Sequence, residues 1–235
     1  MYKLYWFVFK NISQLHISGL EMFGCGGSRI ESVDQFKFEN CTVFGQNKSC
    51  GSGLSLMNSN ARLIHSFKSN MYGSEQTLQY LCIRNYSYKG YGGGAVFAVQ
   101  SNVNVFSCTF EGNSAELGGA MFGKLGSNIT IIRSNFMKNQ ALRKENNLMC
   151  SGGALYCESD CRVSVYSSIF HENSAGNDGG VFKLIVSKLF ATESDFSWNR
   201  AERDGGVLST LRTNVNINES TFDHNQALVW WSCEF

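Results

Sequence analysis

GGALYCESDCRVSVYSSIFHENSAGND, residues 152–178, decides the fold. It opens on Gly-Gly, alternates through Val163 and Val165, and closes on Phe170-x-x-Asn173-x-Ala175. The same pattern recurs from Gly93, Gly118, Gly152, Gly179 and Gly205, in units of 25, 34, 27, 26 and 26 residues. The Phe-x-x-Asn-x-Ala motif places Phe110, Phe136, Phe170, Phe196 and Phe222 in register. Asn113, Asn139, Asn173, Asn199 and Asn225 follow, then Ala115, Ala141, Ala175, Ala201 and Ala227. The first Gly precedes the Phe by 17 or 18 residues every time. A fixed period of this length marks a solenoid, in which each unit buries its apolar face only against its neighbours.

Within a unit the apolar period is two. Val103 and Val105, Ile129 and Ile131, Val163 and Val165, Leu189 and Ala191, and Val215 and Ile217 share one face of a strand. Two residues before each Phe stands Cys108, Ser134, Ser168, Ser194 or Ser220. The break in parity there predicts a bend, so each unit holds several short strands, with another after Gly-Gly. The expected fold is all-β: a right-handed parallel β-helix, a single-stranded solenoid of coils of about 26 residues. Phe stacks inside. Asn sits at a turn, where it tolerates the left-handed conformation and can bond its equivalents along the rod. Gly-Gly makes a tight corner.

The 235 residues read as one β-helix domain. Residues 26–70 form degenerate coils with Phe44-x-x-Asn47 and Phe67-x-x-Asn70, 71–92 an insertion, and 93–230 the regular repeats; residues 1–25 hold one more worn coil. The N-terminus starts within a structural unit, which suggests a piece of a longer chain. The net charge is +1, so nothing draws the chain to nucleic acid. No apolar run reaches 18 residues, so no transmembrane helix is expected. No cofactor motif is present, and scattered histidines with no Cys-x-x-Cys argue against a metal.

Nine cysteines are present. Cys25 and Cys50 precede consecutive unit starts and would stack at disulfide distance; Cys157 and Cys161 could close a small loop. Buried thiols are the alternative. Six sequons, at Asn11, Asn40, Asn47, Asn85, Asn128 and Asn218, are glycosylation candidates in a secreted chain. Together these features point to an extracellular or cell-surface setting.

A catalytic reading rests on Asp178 and Asp204, which precede Gly-Gly in adjacent coils and would stack near the separation of a retaining glycosidase. Glu193 and Glu219 form a second stacked pair. Turn duty explains a repeated Asp better than catalysis does. His171 and His224 read as turn residues, and Arg133, Arg200 and Arg203 as solvated surface.

The Gly-Gly-Ala start and the Phe-x-x-Asn motif resemble the repeats of the chlamydial polymorphic outer membrane proteins. Similar repeats occur in eukaryotic proteins described as right-handed β-helix or pectin-lyase-like. The likeness covers Gly93 to Ala227 and, more loosely, Gly26 to Asn70. It implies the β-helix and an adhesive role. The bacterial family are autotransporters with a C-terminal barrel, which these residues do not include, and this chain is richer in Cys. The expected function is a non-catalytic scaffold or adhesion surface, with a carbohydrate-active enzyme or a carbohydrate-binding module as alternatives. The expected partner is a protein or glycan at a cell surface, with self-association through open coil ends.

Overall fold

The computed structural model describes residues 7–23, 28–44, 54–64, 92–142 and 150–228. They form an all-β parallel β-helix, with no helix among them. The stacking of successive parallel strands is consistent with the right-handed crossover.

Each regular coil has four sides. The first side follows Gly-Gly: Val96–Val99, Met121–Lys124, Leu155–Glu158, Phe182–Ile185 and Leu208–Leu211. The second carries the alternating apolar pairs: Asn102–Phe106, Asn128–Ile132, Arg162–Tyr166, Lys188–Thr192 and Asn214–Asn218. The third holds the Phe, as in Ile169–His171, and the fourth is two residues long, as in Ser174–Ala175. Every strand pairs in parallel with its equivalent one coil on, so Phe110, Phe136, Phe170, Phe196 and Phe222 fall in one register. The first and second sides continue through Leu54–Met57 and Asn60–Ile64 to Ser28–Glu39, which spans both sides. Val8–Ser18 pairs with that strand in turn.

The corners explain the parity breaks. Each regular coil turns at four points, and at each a residue takes the left-handed conformation. In the coil from Gly179 these are Gly179, Val186, Glu193 and Trp198, with φ of 68°, 47°, 50° and 57°. An added Cβ on Gly94, Gly119, Gly153 or Gly180 would overlap the carbonyl oxygen of its equivalent in the next coil. Only glycine allows that approach.

The Phe rings stack with centroids 4.6 to 5.1 Å apart, and the first four are fully buried. Each buried ring contributes roughly 1.5–3 kcal/mol. Phe222, in the last described coil, is half exposed.

The Asn column differs from expectation in one respect. The left-handed residue is the one before it: Gly112, Lys138, Glu172, Trp198 or His224. That corner residue turns outward and the Asn turns in; Asn113, Asn139, Asn173 and Asn199 are buried and Asn225 is half-buried. The bonds along the rod are present. Asn113, Asn139, Asn173 and Asn199 each donate Nδ2–H to Oδ1 of the next Asn at 2.8–3.0 Å. From Asn139 on, Nδ2 also donates to the carbonyl of a Phe one coil back. A buried amide with both donors used carries little desolvation cost. A second polar ladder runs through the Ser before each Phe: the N–H of Ser134 donates to Ser168 Oγ, and that of Ser168 to Ser194 Oγ.

Candidate functional site

The catalytic candidates come first. Gly152 and Gly179 donate their N–H to the carbonyls of Asp178 and Asp204, so the two Asp do stack in adjacent coils. Their side chains are not a working pair. Asp178 is buried, with both carboxylate oxygens occupied. Arg203 donates Nε–H to its Oδ1 at 2.9 Å and Nη2–H to its Oδ2 at 2.8 Å, and Lys183 Nζ donates to the same Oδ2 at 2.8 Å. Arg203 also reaches Asp204 Oδ2 at 3.2 Å. The Asp178 carboxylate beside Arg203 holds its guanidinium above the ordinary value.

This cluster corrects two expectations. Asp178 is more than a turn residue, and Arg203 is more than solvated surface: together with Lys183 they form a bidentate ion pair at the rod wall. Lys183 takes the column position that Phe97, Phe122 and Tyr156 fill in earlier coils, where the rings stack at 5.3 and 5.2 Å. The one legible signal was a lysine in a place three units fill with aromatics.

The other candidates are dispersed. Glu193 and Glu219 are exposed corner residues, and Glu193 accepts a bond from Ser167 at 2.9 Å. His171 ends a strand, half-buried, between Ser197 Oγ and Glu172 Oε1, each at 3.0 Å. That differs from the exposed turn expected of it. His224 is an exposed corner residue stacked on Trp198 with centroids 4.3 Å apart. Arg133 is an exposed corner residue, and Arg200 is exposed on the fourth side. Among the described residues no group of acids, histidines and cysteines could hold a metal.

Of the cysteines, Cys41, Cys108, Cys150, Cys157 and Cys161 are buried thiols. Cys25 and Cys50 lie outside the described residues, as do Asn47, Asn85 and most of the 71–92 segment. The described sequons Asn11, Asn40, Asn128 and Asn218 are all exposed.

What the units build in common is a wall. On the second side, residues alternate in and out, and the outward ones align in three columns. The first runs Asn60, Asn102, Asn128, Arg162, Lys188, Asn214. The central one runs His16, Lys37, Arg62, Asn104, Thr130, Ser164, Phe190, Asn216. The third carries Phe106, Ile132, Tyr166, Thr192 and Asn218. From Asn102 to Asn218 no outward position of these strands is acidic. Arg162 and Lys188 face each other on paired strands, and among the described residues no carboxylate pairs with either.

Two depressions mark this wall. One, of about 610 Å³, is lined by Gln14, His16, Gln35, Lys37, Asn60 and Arg62. Glu39 holds His16 at 3.3 Å and Lys37 at 2.6 Å at its edge. The other, of about 260 Å³, lies among Arg162, Ser164, Lys188, Phe190, Asn214 and Asn216. The rings of Tyr166 and Phe190 meet beside it, centroids 5.6 Å apart and tilted by 44°. Tyr166 and Phe190 come together because they stand in adjoining columns of consecutive coils.

No family model, no curated protein and no solved structure matches this chain.

Proposed function

We propose that this chain is a non-catalytic binding scaffold of the extracellular space or cell surface, with the second side as its binding wall. The observation that carries the reading is the run of outward side chains from Asn102 to Asn218. They are amides, hydroxyls, two cations, three aromatic rings and one isoleucine, without an acid, on a stiff parallel sheet. Amides and hydroxyls bond a ligand in either direction, and rings offer flat apolar area at low entropic cost. The occupied oxygens of Asp178 favour a structural role for the strongest catalytic candidate. The exposed sequons and the likeness to polymorphic outer membrane protein repeats support the surface setting.

A glycan ligand is the second reading, favoured by the Tyr166–Phe190 pair. Aromatic rings beside hydrogen-bonding groups suit a sugar, whose faces are apolar and whose rim is polar.

The test is retention of the chain on immobilised extracellular glycans and on intact cell layers, beside Tyr166→Ala/Phe190→Ala and Lys188→Glu variants. Binding by the parent that falls at least roughly tenfold in both variants, about 1.4 kcal/mol, with unchanged melting, supports the wall. Polysaccharide cleavage that Asp178→Asn abolishes without unfolding would replace it with an enzyme.

A further inference from the structure

The coil that begins at Gly152 departs from its neighbours in two adjoining columns at once. The inward column of the first side runs Leu56, Ala98, Gly123, Cys157, Leu184. The hydroxyl column at the head of the second side is Ser59, Ser101, Ser127, then Cys161, then Ser187 and Thr213. In this coil alone, among those described, both columns hold sulfur. The corner between them holds two consecutive left-handed residues, Ser159 and Asp160, with φ of 63° and 62°, as Leu125 and Gly126 do one coil earlier at 52° and 73°.

The two sulfurs meet in the core. Cys157 and Cys161 are buried and belong to the main apolar cluster. A Cβ placed on Gly123 would lie 2.7 Å from Cys157 Sγ and 3.6 Å from Cys161 Sγ, so both sulfurs pack against the one glycine. Cys161 Sγ also reaches the Glu158 carbonyl at 3.1 Å. Cys150 sits in a separate cluster with Ala141 and Ala175.

We propose that Cys157 and Cys161 are a redox-active dithiol that closes to a disulfide within its own coil, by exchange with a small disulfide of the glutathione class. The Cys161 thiolate attacks one sulfur of the small disulfide, forming a mixed disulfide and releasing one thiolate. The Cys157 thiol then loses its proton and attacks the Cys161 sulfur, expelling the second thiolate. Two protein thiols are oxidised and one small disulfide is reduced to two thiols. The order follows from the two environments. Cys161 adjoins the 158–160 corner, and contact with Cys157 holds its thiol below the ordinary value, whereas Cys157 lies within the strand Leu155–Glu158 and burial pushes its thiol up. Since both are buried, the exchange takes place while the 158–160 corner is open.

The full chain is equilibrated with oxidised glutathione, unfolded, alkylated without reductant and digested with trypsin. The peptide Glu145–Arg162 contains Cys150, Cys157 and Cys161. The expected result is one alkylated cysteine, at Cys150, and a peptide lighter by two hydrogens. Its halves stay joined after cleavage at Glu158. Alkylation of all three, separated halves, or a bond to Cys150 would overturn the proposal. In Cys157→Ser, glutathione should remain attached at Cys161. Attachment to Cys161→Ser at Cys157 should be at least roughly tenfold slower; equal rates would overturn the assigned order.

Discussion

The asparagine column at the fourth corner and that of the second side use one bond in opposite surroundings. At the corner, Asn113 to Asn225 link Nδ2 to Oδ1 at 2.8–3.0 Å inside the rod. On the wall, Asn102 and Asn128 link to the preceding coil at 2.6 and 2.7 Å with their side chains in water. Geometry does not separate them; the alternative partner does. A buried amide that loses its neighbour has nothing to bond, whereas an exposed one turns to water. The inner column is accordingly Asn in all five regular coils, while the outer one passes to Arg162 and Lys188 and back to Asn214. A column relieved of structural duty can carry binding chemistry.

The largest effect expected lies beside the inner ladder. Phe170 stacks between Phe136 and Phe196 and is fully buried. Phe170→Ala should cost about 3–5 kcal/mol, read as a lower urea midpoint. Phe222, half exposed, serves as the control: its truncation should cost under about 1 kcal/mol, since half its surface is already wet. Equal losses at the two sites would mean that coil position, not burial, sets the energy.

Asn173→Ala comes next. It strips Asn139 Nδ2–H and N–H of their acceptor and Phe136 of the donor to its carbonyl. Stranding buried groups in this way should cost about 2–4 kcal/mol. Ser168→Ala leaves one orphan, the N–H of Ser134, and should cost about 1–2 kcal/mol. Reversal of that order in denaturant melts would show that water reaches the inner Asn column.

The repeat made the inner column readable from sequence. Five recurrences of Phe-x-x-Asn put Phe and Asn in fixed register, and the two-residue period set the inward face of the second side. The turn conformation was assigned one residue too late, because the sequence shows that a corner is near but not which residue points outward. Lys183 stood out as a lysine in an aromatic column, but its pairing with Asp178 and Arg203 was invisible for a related reason: it occurs once, and repetition reveals only what recurs. Asp178 and Arg203 are 25 positions apart, and only stacking makes them neighbours. The wall was half legible. Its outward residues sit at the parity opposite to the valines and isoleucines, so aligned units would have given the columns. They would not have given the depressions, which depend on neighbouring side-chain sizes across coils.

The smallest effect is the one that isolates the comparison. Asn102 accepts a bond from Asn128 and donates one to Asn60, so Asn102→Ala removes two ladder bonds of good length. By length alone it should rival Asn173→Ala. Yet Asn60, Asn102 and Asn128 are exposed, and water can satisfy every amide group the truncation frees. The expected loss is under about 0.5 kcal/mol, within the range of ordinary surface changes. A denaturation midpoint that barely moves for Asn102→Ala and falls steeply for Asn173→Ala would assign the difference to desolvation. A steep fall in both would mean that the outer ladder also holds the rod together, and that the wall is less free to vary than Arg162 and Lys188 imply.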